Sequence, residues 1–163
     1  MKRFNCWCYI NSEIGFLNLI SNENELISIS FSDEAGVNSE FQPQILTQAK
    51  IQLNEYFQGT RKEFQLKINP EGSKFQIEIW KLVSQVGYGK TASYLDIAQQ
   101  AGSAAKTRAV GMANSKNPLP IIIPCHRIIG KKGDLTGYAG GIHRKTYLLQ
   151  HELKHFKSPE KLF

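Results

Sequence analysis

No apolar run in this chain approaches the roughly 18 residues of a membrane span, and the start, Met1-Lys2-Arg3-Phe4-Asn5-Cys6, lacks the apolar core of a secretory leader. Both absences predict a cytoplasmic protein with no membrane partner. Cysteine is scarce. Cys6, Cys8 and Cys125 are odd in number, and Cys6 lies too near Cys8 for an ordinary disulfide, so a reducing compartment fits. Repeats and low-complexity tracts are missing too, which leaves out solenoid and fibrous architectures. With 163 residues, 41% of them hydrophobic and 21% charged, what remains is a globular chain with one good core or two small ones.

Charge is unevenly placed. Residues 1–70 hold six Lys or Arg against eight Asp or Glu, whereas residues 71–163 hold fourteen against six. The net charge therefore runs from −2 to +8, and the second half is the expected polyanion-binding part. The distal Lys154, Lys157 and Lys161 read as solvated lysines.

Ile27, Ile29 and Phe31 alternate with serine, and Phe64, Leu66 and Ile68 alternate with Gln65 and Lys67, so both segments carry the two-residue period of strands. Between them Leu46, Ala49, Leu53 and Phe57 recur at helical steps, with Pro43 near the start and Gly59 to end the helix. Asn69-Pro70-Glu71-Gly72-Ser73 reads as a linker and coincides with the charge change. This predicts an α+β chain: a mixed α/β N-terminal domain over 1–70 and a C-terminal domain over 71–163. In the latter, Phe75, Ile79, Leu82, Val83 and Val86 define a helix face broken by Gly87 and Gly89. Ser93 with Asp96 forms a capping-box pattern opening a short helix closed by Gly102. Ser103 then caps a helix from Ala104 to about Lys116, stopped by Asn117-Pro118. Two helices on a glycine turn suggest helix-turn-helix. The second is built from Ala104, Ala105, Ala109, Gly111 and Ala113 with Lys106, Arg108, Asn114 and Lys116 interspersed, a composition suited to lying on a nucleic-acid backbone or to close packing in a core.

The chemistry concentrates at Ile121-Ile122-Ile123-Pro124-Cys125-His126-Arg127-Ile128-Ile129. A cysteine attacks as thiolate, so a reactive one needs a base and positive charge nearby, and His126 and Arg127 supply candidates for both. The alternative is a small buried hydrophobe at the end of a core strand.

From about Gly89 to Glu152 the sequence resembles the O6-alkylguanine-DNA alkyltransferases of the bacterial methylated-DNA–protein-cysteine methyltransferase type. The resemblance rests on Ser93-Tyr94, Arg108-Ala109-Val110-Gly111, Asn117-Pro118, Ile123-Pro124-Cys125-His126-Arg127, Gly137-Tyr138-Ala139-Gly140-Gly141 and Leu148-Leu149-Gln150-His151-Glu152, with Phe75-Gln76 and Trp80 extending it. It implies a ribonuclease-H-like N-terminal domain and a winged-helix-like C-terminal one. It also implies that Cys125 accepts an alkyl group from guanine O6, and from O4-alkylthymine, in a single self-inactivating turnover without a cofactor. His126 would deprotonate Cys125 through a bridging water, Glu152 would orient His126, and Asn117 would hold the turn before the active-site strand. Glu152 otherwise reads as an exposed helix-end carboxylate.

A guanine inside a duplex is out of reach, so the resemblance further implies that the nucleotide is rotated out of the stack from the minor groove of double-stranded DNA. Arg108 would fill the vacated space, a simple phosphate contact being the alternative, and Ala105, Lys106, Asn114 and Ser93 complete the expected DNA-binding set. Tyr94 would donate to guanine N3, and Tyr138, Ala139, Gly140 and Arg127 would line the substrate pocket. Ala139 stands where some relatives have serine, leaving only a backbone N–H for O6, and Ile128 replaces a frequent valine. The first half has no histidine, so Cys6 and Cys8 cannot complete the zinc site of some eukaryotic relatives. They read as strand residues, and no metal is expected. A monomer is expected. Two other classes compete: a noncatalytic damage-binding module, against which Cys125 argues, and a winged-helix regulator, for which the Pro-Cys-His-Arg string and Glu152 would have no purpose.

Overall fold

The computed structural model describes residues 4–156, so Lys157 and Lys161 lie outside the described residues. Three strands, β1 (Cys6–Ser12), β2 (Gly15–Ser21) and β3 (Leu26–Ser32), form an antiparallel sheet in the order β1-β2-β3. Cys8 pairs with Leu19, which pairs in turn with Ile29. Cys6, Cys8, Ile10, Leu17, Leu19, Leu26 and Ile29 are buried. Cys6 and Cys8 are thus strand residues of the core. Helix α1 (Gln44–Phe57) packs on this sheet and buries Leu46, Ala49, Leu53 and Tyr56 completely. Each of the two leucines contributes about 1.5–3 kcal/mol. Pro43 precedes the first helical turn, and Gly59, at φ +80°, lets the chain turn away after the last.

The expected strand over Phe64–Ile68 does not form. That segment meets β3 at one bridge, Leu26 with Ile68, where Leu26 N donates to Lys67 O and Asn69 N donates to Leu26 O, both at 2.9 Å. Further along the same edge Ile29 N donates to Pro118 O (2.9 Å), so the edge of β3 is shared between two irregular segments and neither extends into a ladder.

In the second half, α2 (Lys74–Ser84) starts with a capping box between Ser73 and Gln76. The Ser93–Asp96 capping box is formed as expected and opens α3 (Tyr94–Gln100) after the two-residue strand β4 (Ala92–Ser93). Gly102, at φ +114°, makes the turn, a single 3-10 turn spans Ala104–Lys106, and α4 runs over Thr107–Ser115. Trp80 locks α2 to α4 by donating its Nε1–H to Ala113 O at 2.8 Å. The strand β5 (Ile128–Ile129) pairs in parallel with β4, and α5 (Ile142–Phe156) closes the fold with Lys145, Leu148, His151 and Glu152 on its buried face.

The chain before Cys125 is not a core strand. Pro118, Pro120 and Pro124 have no N–H to give to a ladder, and only the isolated bridge Pro120–Ile123 forms. Ile121 turns the chain at φ +75°, an unusual conformation for a β-branched residue, yet it is buried.

Candidate active site

That turn delivers Cys125, which begins a 3-10 turn over Cys125–Arg127 and is 5% exposed. The turn is held from outside. Asn117 Nδ2 donates to Ile123 O (2.8 Å) while its Oδ1 accepts from Leu119 N (2.9 Å), so Asn117 braces the approach to the cysteine. Asn114 Nδ2 donates to Cys125 O at 3.3 Å. Burial pushes the Cys125 thiol up to about 11, against the Asn117 side chain and the Lys145 ammonium, which pull it down. The thiol is therefore protonated near neutral pH, and a reactive role would need a proton acceptor.

His126 is fully buried beside it, and burial holds the imidazole below its ordinary value, hence neutral. Its Nε2 lies 2.7 Å from Glu152 Oε1. An ionised carboxylate only accepts, so Nε2 carries the proton and Nδ1 is the free acceptor; that atom is buried without a protein partner. Burial alone would raise the Glu152 carboxyl, but the bond to His126 and the Arg127 guanidinium outweigh it and hold the carboxyl well below its usual range. Glu152 is therefore a buried anion, not an exposed helix-end carboxylate.

Arg127 lines a cavity with Val86, Tyr88, Ile122 and Pro124, and its guanidinium is turned toward Glu152. Its Nε donates to Glu152 Oε2 (2.9 Å) and its Nη2 to Oε1 (3.0 Å), Nη1 donates to Val86 O (2.6 Å), and the guanidinium carbon lies 5.7 Å from the Tyr88 ring centre. A rigid guanidinium fork suits this two-pronged grip, and Arg127 clamps the carboxylate.

Two tyrosines face the cysteine. Tyr94 donates its hydroxyl to Thr136 O at 3.1 Å, and Tyr138 is mostly buried with its hydroxyl unpaired. Burial raises both phenols, and negative charge on Cys125 raises them further. His126 Nδ1, Asn114 Oδ1 and Tyr138 Oη are all buried polar atoms with no protein partner among the described residues. Such atoms are costly unless a ligand satisfies them. Gly140 is buried against Phe31, where a Cβ would stand 2.6 Å from the ring, and Ala139 is exposed.

Of the expected DNA-binding residues, Ala105 is exposed on the 3-10 turn and Arg108 on α4. Asn114 is not on that surface; it is buried beneath α4 at the cysteine because it shares the inward face with Val110 and Ala113. Lys106 Nζ is tied to Ala101 O (2.6 Å), the end of α3, and the Ser93 hydroxyl is occupied in the capping box. Three contributors escaped the sequence reading. Lys145 is fully buried, donates to Ile128 O (2.6 Å) and Thr136 O (3.3 Å), and its position in step with Leu148 and Glu152 on α5 was a readable sign. Gly89 N donates to Glu152 Oε2 at 3.2 Å, and Tyr56 donates to Glu152 Oε1 at 2.8 Å. Neither of these is marked by spacing.

A buried thiol next to a neutral imidazole, with a carboxylate bonded to that imidazole, is the arrangement a cysteine nucleophile would need for proton removal. Residues 5–70 match the family described as 6-O-methylguanine DNA methyltransferase, ribonuclease-like domain, and residues 74–154 match its DNA binding domain. A methylated-DNA–protein-cysteine methyltransferase of Mycolicibacterium paratuberculosis is 39% identical over 158 residues, covering 94% of this chain and 96% of its own. The crystal structure of Mycobacterium tuberculosis O6-methylguanine methyltransferase superposes with a TM-score of 0.86 at 38% identity, covering 97% of each chain. That of Mycobacterium tuberculosis OGT in complex with DNA gives 0.83 at 40% identity, covering 91% of this chain and 93% of that one. The chain belongs to the methylated-DNA–protein-cysteine methyltransferase family.

Proposed function

We propose that this protein repairs double-stranded DNA by moving the alkyl group of O6-alkylguanine, and of O4-alkylthymine, onto Cys125. The observation that carries the reading is the buried Cys125 backed by His126, Glu152 and Arg127 in a chain of this family. His126 Nδ1 takes the thiol proton through a water, and Glu152 with Arg127 behind it balances the imidazolium that results. The thiolate attacks the sp3 carbon: the S–C bond forms as the C–O6 bond breaks, and the electron pair passes to the purine. Tyr94 turns from Thr136 to give its hydroxyl proton to guanine N3, so that the base departs neutral, and the proton held on His126 returns through water to the phenolate. The thioether is stable and nothing regenerates the thiol, so each molecule acts once. No cofactor is needed for displacement by a soft nucleophile.

A thiol this buried is out of reach of a stacked base, so the nucleotide rotates out from the minor groove into the space between Tyr94 and Tyr138. Arg108, long and exposed in a helix otherwise made of small residues, fills the gap. The helices α2 to α4 with the β4–β5 pair act as a winged-helix-like DNA-binding domain over 71–163, and the sheet with α1 as a ribonuclease-H-like domain over 1–70. The protein works in the cytoplasm as a monomer. Intact mass after mixing with an O6-methylguanine duplex tests this: one methyl per chain, on Cys125, is expected. Cys125→Ala should bind the duplex and gain no mass. Transfer persisting in that variant would move the nucleophile elsewhere.

A further inference from the structure

One group at Glu152 comes from the other half of the chain. Tyr56, on the last turn of α1, is fully buried, and its hydroxyl donates to Glu152 Oε1 at 2.8 Å. The same oxygen receives His126 Nε2 at 2.7 Å and Arg127 Nη2 at 3.0 Å; Oε2 receives Arg127 Nε and Gly89 N. Three donors on one oxygen compete for its electron density, so what the phenol draws is withheld from His126. Tyr56 has little freedom to move. Its ring packs on Phe57, Phe64 and Tyr88, and its carbonyl accepts from His151 Nε2 at 2.7 Å, the residue next to Glu152 on α5. Packing alone would be served by phenylalanine, since a buried hydroxyl is costly unless it has a partner to satisfy.

We propose that Tyr56 is a positioning residue of the alkyl-transfer site: through Glu152 Oε1 it holds the carboxylate against His126 and moderates how strongly the imidazole holds a proton. The N-terminal half of the chain thereby supplies part of the active site. The proposal rests on the reading of Cys125 as alkyl acceptor and His126 as its base. The charged and titratable groups facing this pair are Arg127 and Cys125 on its own turn, Lys145 and His151 from α5, Tyr88 from the segment before β4, and Tyr56 from α1. Only the last is altered in the test.

In the full chain, Tyr56→Phe removes the donor and leaves the shape. The charge on Oε1 then falls to His126, imidazolium is favoured, and a higher pH is needed to free the base. The acid limb of the single-turnover transfer rate should move up by about one pH unit, so transfer at a fixed pH on that limb is roughly tenfold slower. The His126 imidazole, followed by NMR apart from His151, should titrate higher by the same amount. A variant slower at every pH with its limb unmoved would reduce Tyr56 to packing and overturn the proposal, as would an unchanged profile. Should Tyr56→Phe not fold, a fluorinated tyrosine at position 56, a more acidic phenol and stronger donor, must move the limb to lower pH; a limb that stays in place overturns the proposal. The wild-type protein is the control. If it gains no methyl on Cys125, the function reading fails, whereas a transferring wild type beside an unshifted variant sinks the Tyr56 role alone.

Discussion

Replacing Arg127 by methionine removes a charge while keeping much of the apolar stem. Arg127 is 6% exposed and Glu152 is 1% exposed, so the variant leaves an anion facing a cavity, with Val86 O also losing its donor. Breaking a buried pair from one side costs about 3–5 kcal/mol, a large share of the roughly 5–15 kcal/mol that holds a domain together. The bonds from Tyr56, His126 and Gly89 remain, so the lower end of that range is expected. Denaturant unfolding at pH 7 measures it. The pH dependence separates this from simple loss of packing. Because Glu152 is held low in the folded protein, its contribution is fully present above its unfolded value of about 4.3 and is lost as pH falls through the folded one. Arg127→Met raises the folded value, so the variant has less to lose, and the gap between the two proteins should narrow as the pH drops below about 4. A cost under about 1 kcal/mol, or a gap constant down to pH 3, would refute the clamp and leave Arg127 as a pocket wall only.

Arg108→Ala should slow repair of a paired duplex far more than repair of a free alkylated base or a single strand, because only the duplex must give up stacking. The saturating single-turnover rate on both substrates checks this, and an unchanged duplex rate leaves Arg108 a phosphate contact. Lys145→Met should raise the Cys125 thiol further, since the ammonium is one of the groups pulling it down, and capture by iodoacetamide at fixed pH should slow about tenfold for each unit of the rise. Capture at the wild-type rate would show that Lys145 serves only to tie Ile128 and Thr136.

Local signals were legible and remote ones were not. The Ser93–Asp96 cap, the Gly102 turn and the α1 face all act within one or two turns of chain, where side-chain type dictates backbone conformation. β2 is hard to read from sequence because Phe16 and Ile20 on its outer face blur the alternation of Leu17 and Leu19. Phe64–Ile68 has the period of a strand, but period says nothing of whether a partner edge is available, and that edge is shared with the segment at Pro118. Pro118, Pro120 and Pro124 exclude a strand before Cys125, a local signal that overrides the strand propensity of the isoleucines between them. Adjacency of Arg127 to His126 marks charge beside a base, but it does not reveal that the guanidinium fork reaches a carboxylate 25 residues on. Tyr56 lies 96 residues from Glu152, and nothing in a single sequence pairs them.

Ile121 has a consequence for how this sequence can drift. A left-handed backbone costs a branched residue about 1–2 kcal/mol, while burying its side chain returns about 1.5–3. Glycine would relieve the first and forfeit the second. Valine keeps the strain and loses a methylene, and asparagine accepts the backbone but brings an unpaired amide into the interior. Every single exchange trades one term for another of similar size. The position therefore has few neutral exits, and variation in the segment ahead of the cysteine should accumulate around Ile121 sooner than at it.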